Sequence, residues 1–195
     1  MHNPFLPITE GLLAGAVFCP SPNYNDRPPQ ASVELLVIHG ISLPAGHFGG
    51  PFIHQLFTNC LNTNAHHSFC QLQDVQVSAH VLIERDGTLT QFVPFHKRAW
   101  HAGVSHWQGR PGCNDFSIGI ELEGTDDLPY EPVQYRQLIR VTCALMAAFP
   151  ALNPDTVVGH CDVAPGRKTD PGKAFDWANF RQALLHSTEH KERPC

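Results

Sequence analysis

The chain has 195 residues, of which 42% are hydrophobic, and a formal charge of −5 at pH 7. That length suits one domain with a buried core, and a mildly acidic balance without Lys/Arg runs excludes nucleic acid as the main partner. No stretch approaches the length of a bilayer span and the first residues carry no basic and then apolar export pattern, so no membrane partner and a cytoplasmic location are expected.

Residues 1–33 are rich in Pro and Asn, which disfavours regular structure and predicts an extended N-terminal segment packed on the domain. The apolar run Leu35-Leu36-Val37-Ile38 predicts a buried strand over 34–39 with His39 at its end, followed by a loop over 40–50 broken by Leu43-Pro44 and Gly49-Gly50. Residues 52–57 have helical spacing, and 59–74 read as a long polar excursion bordering a cleft. Two β-rich runs, 77–84 and 88–93, joined through Arg85-Asp86-Gly87, predict a hairpin. A further strand is expected over 116–122, then a helix starting at Pro132 with Tyr135, Leu138, Thr142, Leu145 and Phe149 on one face. A short strand over 156–159 delivers His160, and Asp176 caps a last helix that turns Trp177, Phe180 and Leu184 inward. The domain is expected over 34–186, with a flexible tail over 187–195. Strands mixed with helices and no internal repeat predict an α/β single domain with a central mixed β-sheet flanked by helices.

Chemistry concentrates in the stretch from His160 to Asp170, read His-Cys-Asp-Val-Ala-Pro-Gly-Arg-Lys-Thr-Asp. With His39 it supplies two imidazoles and one carboxylate, the ligand count of a catalytic zinc site that keeps a fourth position open. Lys168 adds a cation, and the combination suggests hydrolysis. Local sequence alone also allows Asp170 as a turn residue before Pro171-Gly172 and Lys168 as a solvated charge. Cys161 follows His160, and on an extended segment it faces away from any metal there. The seven cysteines are odd in number and contain no C-x-x-C pair, so free thiols are expected. Glu121 is a carboxylate inside an apolar strand pattern and needs a partner, but Glu123 shares its face, and the strand pattern does not separate the two. His80 reads as a hydrogen-bonded core histidine.

Several segments resemble the zinc-dependent N-acetylmuramoyl-L-alanine amidases: Leu35-Leu36-Val37-Ile38-His39, Val77-Ser78-Ala79-His80, Arg85-Asp86-Gly87, Arg98-Ala99-Trp100-His101-Ala102-Gly103, Asn114 through Gly124, Gly159-His160-Cys161-Asp162 and Lys168-Thr169-Asp170-Pro171-Gly172. They run in family order from about residue 20 to about residue 180, and are most similar to the cytoplasmic members that act on anhydro-muramyl peptides. The resemblance implies the fold shared with phage amidases and peptidoglycan recognition proteins, one Zn²⁺ per chain on His39, His160 and Asp170, Glu121 and Lys168 as catalytic residues, and a monomer. It implies cleavage of the amide between the lactyl group of 1,6-anhydro-N-acetylmuramic acid and L-alanine in recycled wall fragments. Trp100, His101 and Asn114 are expected to contact substrate, Trp100 by stacking on a sugar ring. A non-catalytic recognition module would lack a ligand, the glutamate or the lysine, and all five are present. An exported wall amidase would carry a signal that is not seen. Gly40 stands where the family commonly has asparagine, and Gln76 and Arg110-Pro111-Gly112 stand where more basic side chains are expected, so the grip on the peptide part is expected to differ.

Overall fold

A computed structural model describes residues 6–189. The first strands are short: β1 (Ile8–Thr9) and β2 (Leu12–Leu13) pair as a hairpin, and β3 (Val17–Phe18) and β4 (Tyr24–Asn25) follow. Next come β5 (Leu35–Ile41), helix α1 (Phe52–Phe57), a 3-10 turn at His67–Leu72, β6 (Val81–Ile83), β7 (Leu89–Gln91), β8 (Arg98–Ala99), β9 (His106–Trp107) and β10 (Arg110–Pro111). The second half holds β11 (Ser117–Glu123), α2 (Pro132–Ala148), β12 (Val157–Gly159), the single-turn helix α3 (His160–Val163) and α4 (Trp177–Glu189). Six strands make the central sheet in the order β12-β5-β11-β6-β7-β3. All neighbours are parallel except the β6–β7 pair, so the sheet is mixed, with helices on its faces.

Residue alternation decides which way each strand turns. Ile118, Ile120 and Leu122 of β11 and Leu36 and Ile38 of β5 join the core beneath α2 and α4, with Leu138, Val141, Phe180 and Leu184. Leu35 and Val37 point to the other face, with Ala102, Phe116 and Val163, and His39 continues that second row because strand side chains alternate with period 2. The same rule sends Ser117, Gly119, Glu121 and Glu123 together to the second face. The polar row of β11 therefore lies on the same face as His39.

Three expectations are corrected. The N-terminal segment is not merely extended: β3 forms the edge of the central sheet and β4 pairs with β8. Its pieces are two residues long, too short for a periodic signal, and hydrogen bonds between the segment and the body, made by side chains from both sides, fix them. The Gln91 amide accepts from Leu13 N–H and donates to the Gly11 carbonyl, and the Arg27 guanidinium donates to the carbonyls of Phe95, Asn114, Asp115 and Ser117. Second, β5 does not stop at His39 but runs to Ile41, because parallel pairing with β11 continues through Gly40↔Leu122 and Ile41↔Glu123. Third, His160 opens a helical turn rather than an extended loop, and Cys161 still stays outside the ligand cluster. The hairpin forms as expected, its five-residue connection closed by Gly87 N–H to the Glu84 carbonyl with Gly87 at φ +86, where only glycine is unstrained. The Asp176 carboxylate accepts Asn179 N–H at the start of α4, and α4 runs three residues into the expected tail. Residues 190–195 lie outside the described residues. Six cysteines fall within the described residues, and no disulfide links any two of them.

Candidate metal centre

His39 leaves β5 beside Glu121 of β11, its register partner, and His160 follows directly on β12. The chemistry thus sits at the carboxyl ends of parallel strands, where open α/β sheets commonly bind ligands. Asp170 closes the group from the far end of its loop, whose two ends are tied by Cys161 N–H to the Asp170 carbonyl at 3.0 Å. The His39 Nδ1 to His160 Nδ1 distance is 2.9 Å, His39 Nδ1 to Asp170 Oδ2 is 3.2 Å, and His160 Nδ1 to Asp170 Oδ2 is 3.0 Å. Each edge is shorter than two metal–ligand bonds of about 2.0–2.2 Å, so one ion can touch all three atoms.

The donor inventory shows that the triangle fits a cation. His160 Nε2 lies 3.2 Å from the Ala102 carbonyl, which only accepts, so in the neutral imidazole Nε2 carries the proton and Nδ1 presents a lone pair. That lone pair faces the acceptor-only oxygen of Asp170, an arrangement a positive ion relieves. Burial lowers His39 to about 4, which keeps its imidazole neutral as ligation requires. Although burial works to raise the Asp170 carboxyl, its contacts with His160 and His39 outweigh this and hold it well below the usual carboxylate range. Among the described residues this is the only group of three or more His, Cys, Asp or Glu placed to hold a metal.

Around the triangle lie two adjoining cavities of about 250 and 210 Å³ that share Val77, His101, His160 and Lys168. Glu121 and Asp170 line the first, with an apolar wall of Ile41, Leu56, Phe57, Leu72 and Val75. The excursion before Val77 therefore borders the cleft, as the sequence suggests. The structure also separates the two glutamates. Glu123 is buried with both oxygens committed to the backbone, Oε1 accepting Gly49 N–H at 2.6 Å and Oε2 accepting Arg85 N–H at 3.1 Å. Glu121 faces the cavity with Oε2 buried and without a hydrogen-bond partner. Its carboxyl is pushed well above the usual range, first by desolvation and then by the charge of Asp170, with Lys168 opposing.

The sequence profile of the N-acetylmuramoyl-L-alanine amidases matches residues 29–173. The chain belongs to this family. It is 57% identical over 185 residues to the 1,6-anhydro-N-acetylmuramyl-L-alanine amidase AmpD of Citrobacter freundii, covering 95% of this chain and 98% of that one. A crystal structure of a selenomethionine AmpD derivative superimposes with a TM-score of 0.88 at 57% identity, over 91% of this chain and 98% of the other. The amidase AmiD of Escherichia coli, solved with its substrate anhydro-N-acetylmuramic acid-L-Ala-D-γ-Glu-L-Lys, is 32% identical with a TM-score of 0.57, over 80% of this chain and 60% of that one.

In this amidase the other expected residues fall into distinct places. Trp100 walls the second cavity beside Gln76 and Arg167, and its indole N–H donates to Asn25 Oδ1 at 2.7 Å. Asn114 is buried with Oδ1 accepting the N–H groups of His101 and Ala102. The His101 ring lies beneath the cavity, with Nδ1 2.9 Å from His39 Nε2 and Nε2 3.1 Å from Ser117 Oγ. His80 is a core histidine: Nδ1 accepts Gly119 N–H at 3.0 Å and Nε2 donates to the Lys97 carbonyl at 3.1 Å. Arg110 is drawn away from the metal cavity, paired with Glu34 and stacked on Phe116. Beside Gly40 the space is filled by Tyr130, whose hydroxyl donates to the Pro171 carbonyl at 2.9 Å and would stand 2.3 Å from an added Cβ. Sequence reasoning does not find Tyr130 or Arg167. The signal that exists is Gly40 itself, since a missing side chain implies a neighbour in its place.

Proposed function

We propose that this amidase binds one Zn²⁺ through His39, His160 and Asp170 and hydrolyses the amide between the lactyl group of 1,6-anhydro-N-acetylmuramic acid and L-alanine in wall fragments recycled through the cytoplasm. The observation that carries this reading is the cavity in which the ligand triangle, the unpartnered Glu121 carboxylate and the Lys168 side chain face one space. High identity to AmpD along nearly the whole chain supports the anhydro-muramyl substrate. Among the described residues no helix is long and apolar enough to cross a membrane.

A zinc ion at this site would acidify water and polarise the scissile carbonyl. Ionised beside the positive charge that a bound zinc would bring, Glu121 takes the proton from the attacking water. Because burial raises its proton affinity, it holds that proton long enough to deliver it to the leaving amine of L-alanine. Lys168, on the rim, offers its ammonium to the oxygen that becomes negative as the carbonyl is attacked. Trp100, anchored by Asn25, supplies a flat wall suited to the sugar ring, while the apolar side formed by Leu56, Leu72 and Val75 excludes water. Asp170 and the two neutral imidazoles leave the occupied centre formally positive, which favours a developing negative charge.

Mass-spectrometric analysis of products from anhydro-muramyl-tripeptide, with intact muropeptide alongside, tests this reading. Zinc-loaded protein is expected to release free tripeptide from the anhydro substrate, and chelation or Glu121→Ala to abolish the release. Equal cleavage of both substrates would point to a broader wall amidase, and binding without cleavage by folded, zinc-loaded protein to a recognition module.

A further inference from the structure

Both ligand imidazoles are approached from behind by the same two residues. His39 Nε2 meets His101 Nδ1 at 2.9 Å, and His160 Nε2 meets the Ala102 carbonyl at 3.2 Å. This dipeptide is itself clamped on two sides. Asn114 Oδ1 accepts both of its N–H groups, at 3.2 and 2.8 Å. Arg167, from the loop that carries Asp170, donates to the carbonyls of Ala102 and Val104 at 2.6 and 2.7 Å. The His101 ring lies flat against β11 because residue 119 is glycine: a Cβ there would sit 2.4 Å from the ring's Cγ. Glycine inside a strand often marks such a close approach. From His101 the chain of contacts continues through Nε2 to Ser117 Oγ at 3.1 Å, on the polar row of β11.

We propose that residues 101–102 are the orienting frame of the metal centre, with His101 a positioning residue that turns the Nδ1 lone pair of His39 toward the cavity. The inference rests on the metal reading above and extends it. In the occupied state His39 Nε2–H donates to His101 Nδ1, and His101 Nε2–H donates to Ser117 Oγ. The Ala102 carbonyl does the same service for His160. Outer hydrogen bonds of this kind hold a ligating histidine in one tautomer and one orientation. Both nitrogens of His101 are then committed inside the protein, and its role is distinct from substrate contact. The arrangement also explains why Asn114 is buried: it fixes the frame to which both ligands are attached.

The test compares wild type, His101→Leu, His101→Asn and Ser117→Ala. Zinc affinity is measured by competition with a chromogenic chelator, and imidazole tautomers in zinc-loaded wild type by ¹H–¹⁵N NMR. His101→Leu keeps volume but removes the acceptor and is expected to weaken zinc binding roughly 10–100-fold. His101→Asn places a carbonyl oxygen near the lost Nδ1 and is expected to recover most of it, with Ser117→Ala giving a smaller loss. The spectrum is expected to show protons on Nε2 of His39, His101 and His160. Wild-type affinity in His101→Leu, or a proton on Nδ1 of His101, overturns the frame while the metal reading stands. If wild type takes up no zinc, the metal reading falls and the frame with it. Should His101→Leu fail to fold, the wild-type tautomers decide alone.

Discussion

Glu121 and Glu123 show how position sets the task of two identical side chains. Glu123, buried with both oxygens accepting backbone N–H groups, is held as a structural acceptor that ties two loops to the strand. Glu121, with a buried oxygen lacking a partner, is available for the proton transfer proposed above. Glu121→Gln is therefore expected to lower kcat by about 10²–10⁴ while leaving zinc content unchanged, read by steady-state kinetics beside metal analysis. Glu123→Gln is expected instead to lower thermal stability. Lys168→Met is expected to cost on the order of a hundredfold in kcat with KM less affected. The candidate ligand cluster is legible in the sequence because imidazole and carboxylate chemistry travels with residue type. The Ala102 carbonyl is not, since a backbone group has no letter of its own, and Arg167 reads as one more loop cation until its partners are seen.

At the scale of elements, β5 and the loop after Asp170 approach so closely that side-chain volume at residue 40 and hydroxyl reach at residue 130 are one choice. Gly40→Ala drives a methyl toward the Tyr130 hydroxyl, and overpacking of this kind typically costs about 1–3 kcal/mol. Tyr130→Phe alone strands the Pro171 carbonyl and costs about 1–2 kcal/mol, yet it clears the space, because the next ring atom is 3.6 Å from the added methyl. The double variant is thus expected to be more stable than the sum of the two losses implies, as read from urea unfolding, and strict additivity would show that the contact carries no strain. The longer elements are legible in the sequence because they are long enough to repeat: β11 alternates over seven residues, and α2 keeps one apolar face for seventeen. The two-residue strands of the N-terminal segment have no period to read, and their order comes from Gln91 and Arg27, far along the chain or opaque in role.

For the whole molecule, buried neutral histidines set how stability responds to acid. Desolvation lowers His80 to about 3 from an unfolded value of 6.5. Between those values the unfolded chain binds the extra proton, so the contribution is complete above about pH 6.5 and is lost as pH falls toward 3. His80 is expected to remove roughly 2 kcal/mol between pH 6.5 and 5, read as the difference between the denaturant-unfolding profiles of metal-free wild type and His80→Gln; identical slopes would show that this ring takes up its proton as readily folded as unfolded. Zinc acts in the other direction. A ligand at about a hundred times its Kd adds about 2.7 kcal/mol, so saturating zinc is expected to raise Tm by roughly 5–10 °C for a chain of this size, and His39→Ala to erase the shift.

The strand order carries a consequence for time. β5 is complete at Ile41, but its two neighbours in the sheet begin only at Ser117 and Val157. During synthesis the run Leu35-Leu36-Val37-Ile38 waits, with both edges bare, for most of the chain to appear. Pairings this distant close slowly, and an apolar strand left open meanwhile is a site of self-association. Refolding yield is accordingly expected to fall as protein concentration rises, followed by light scattering.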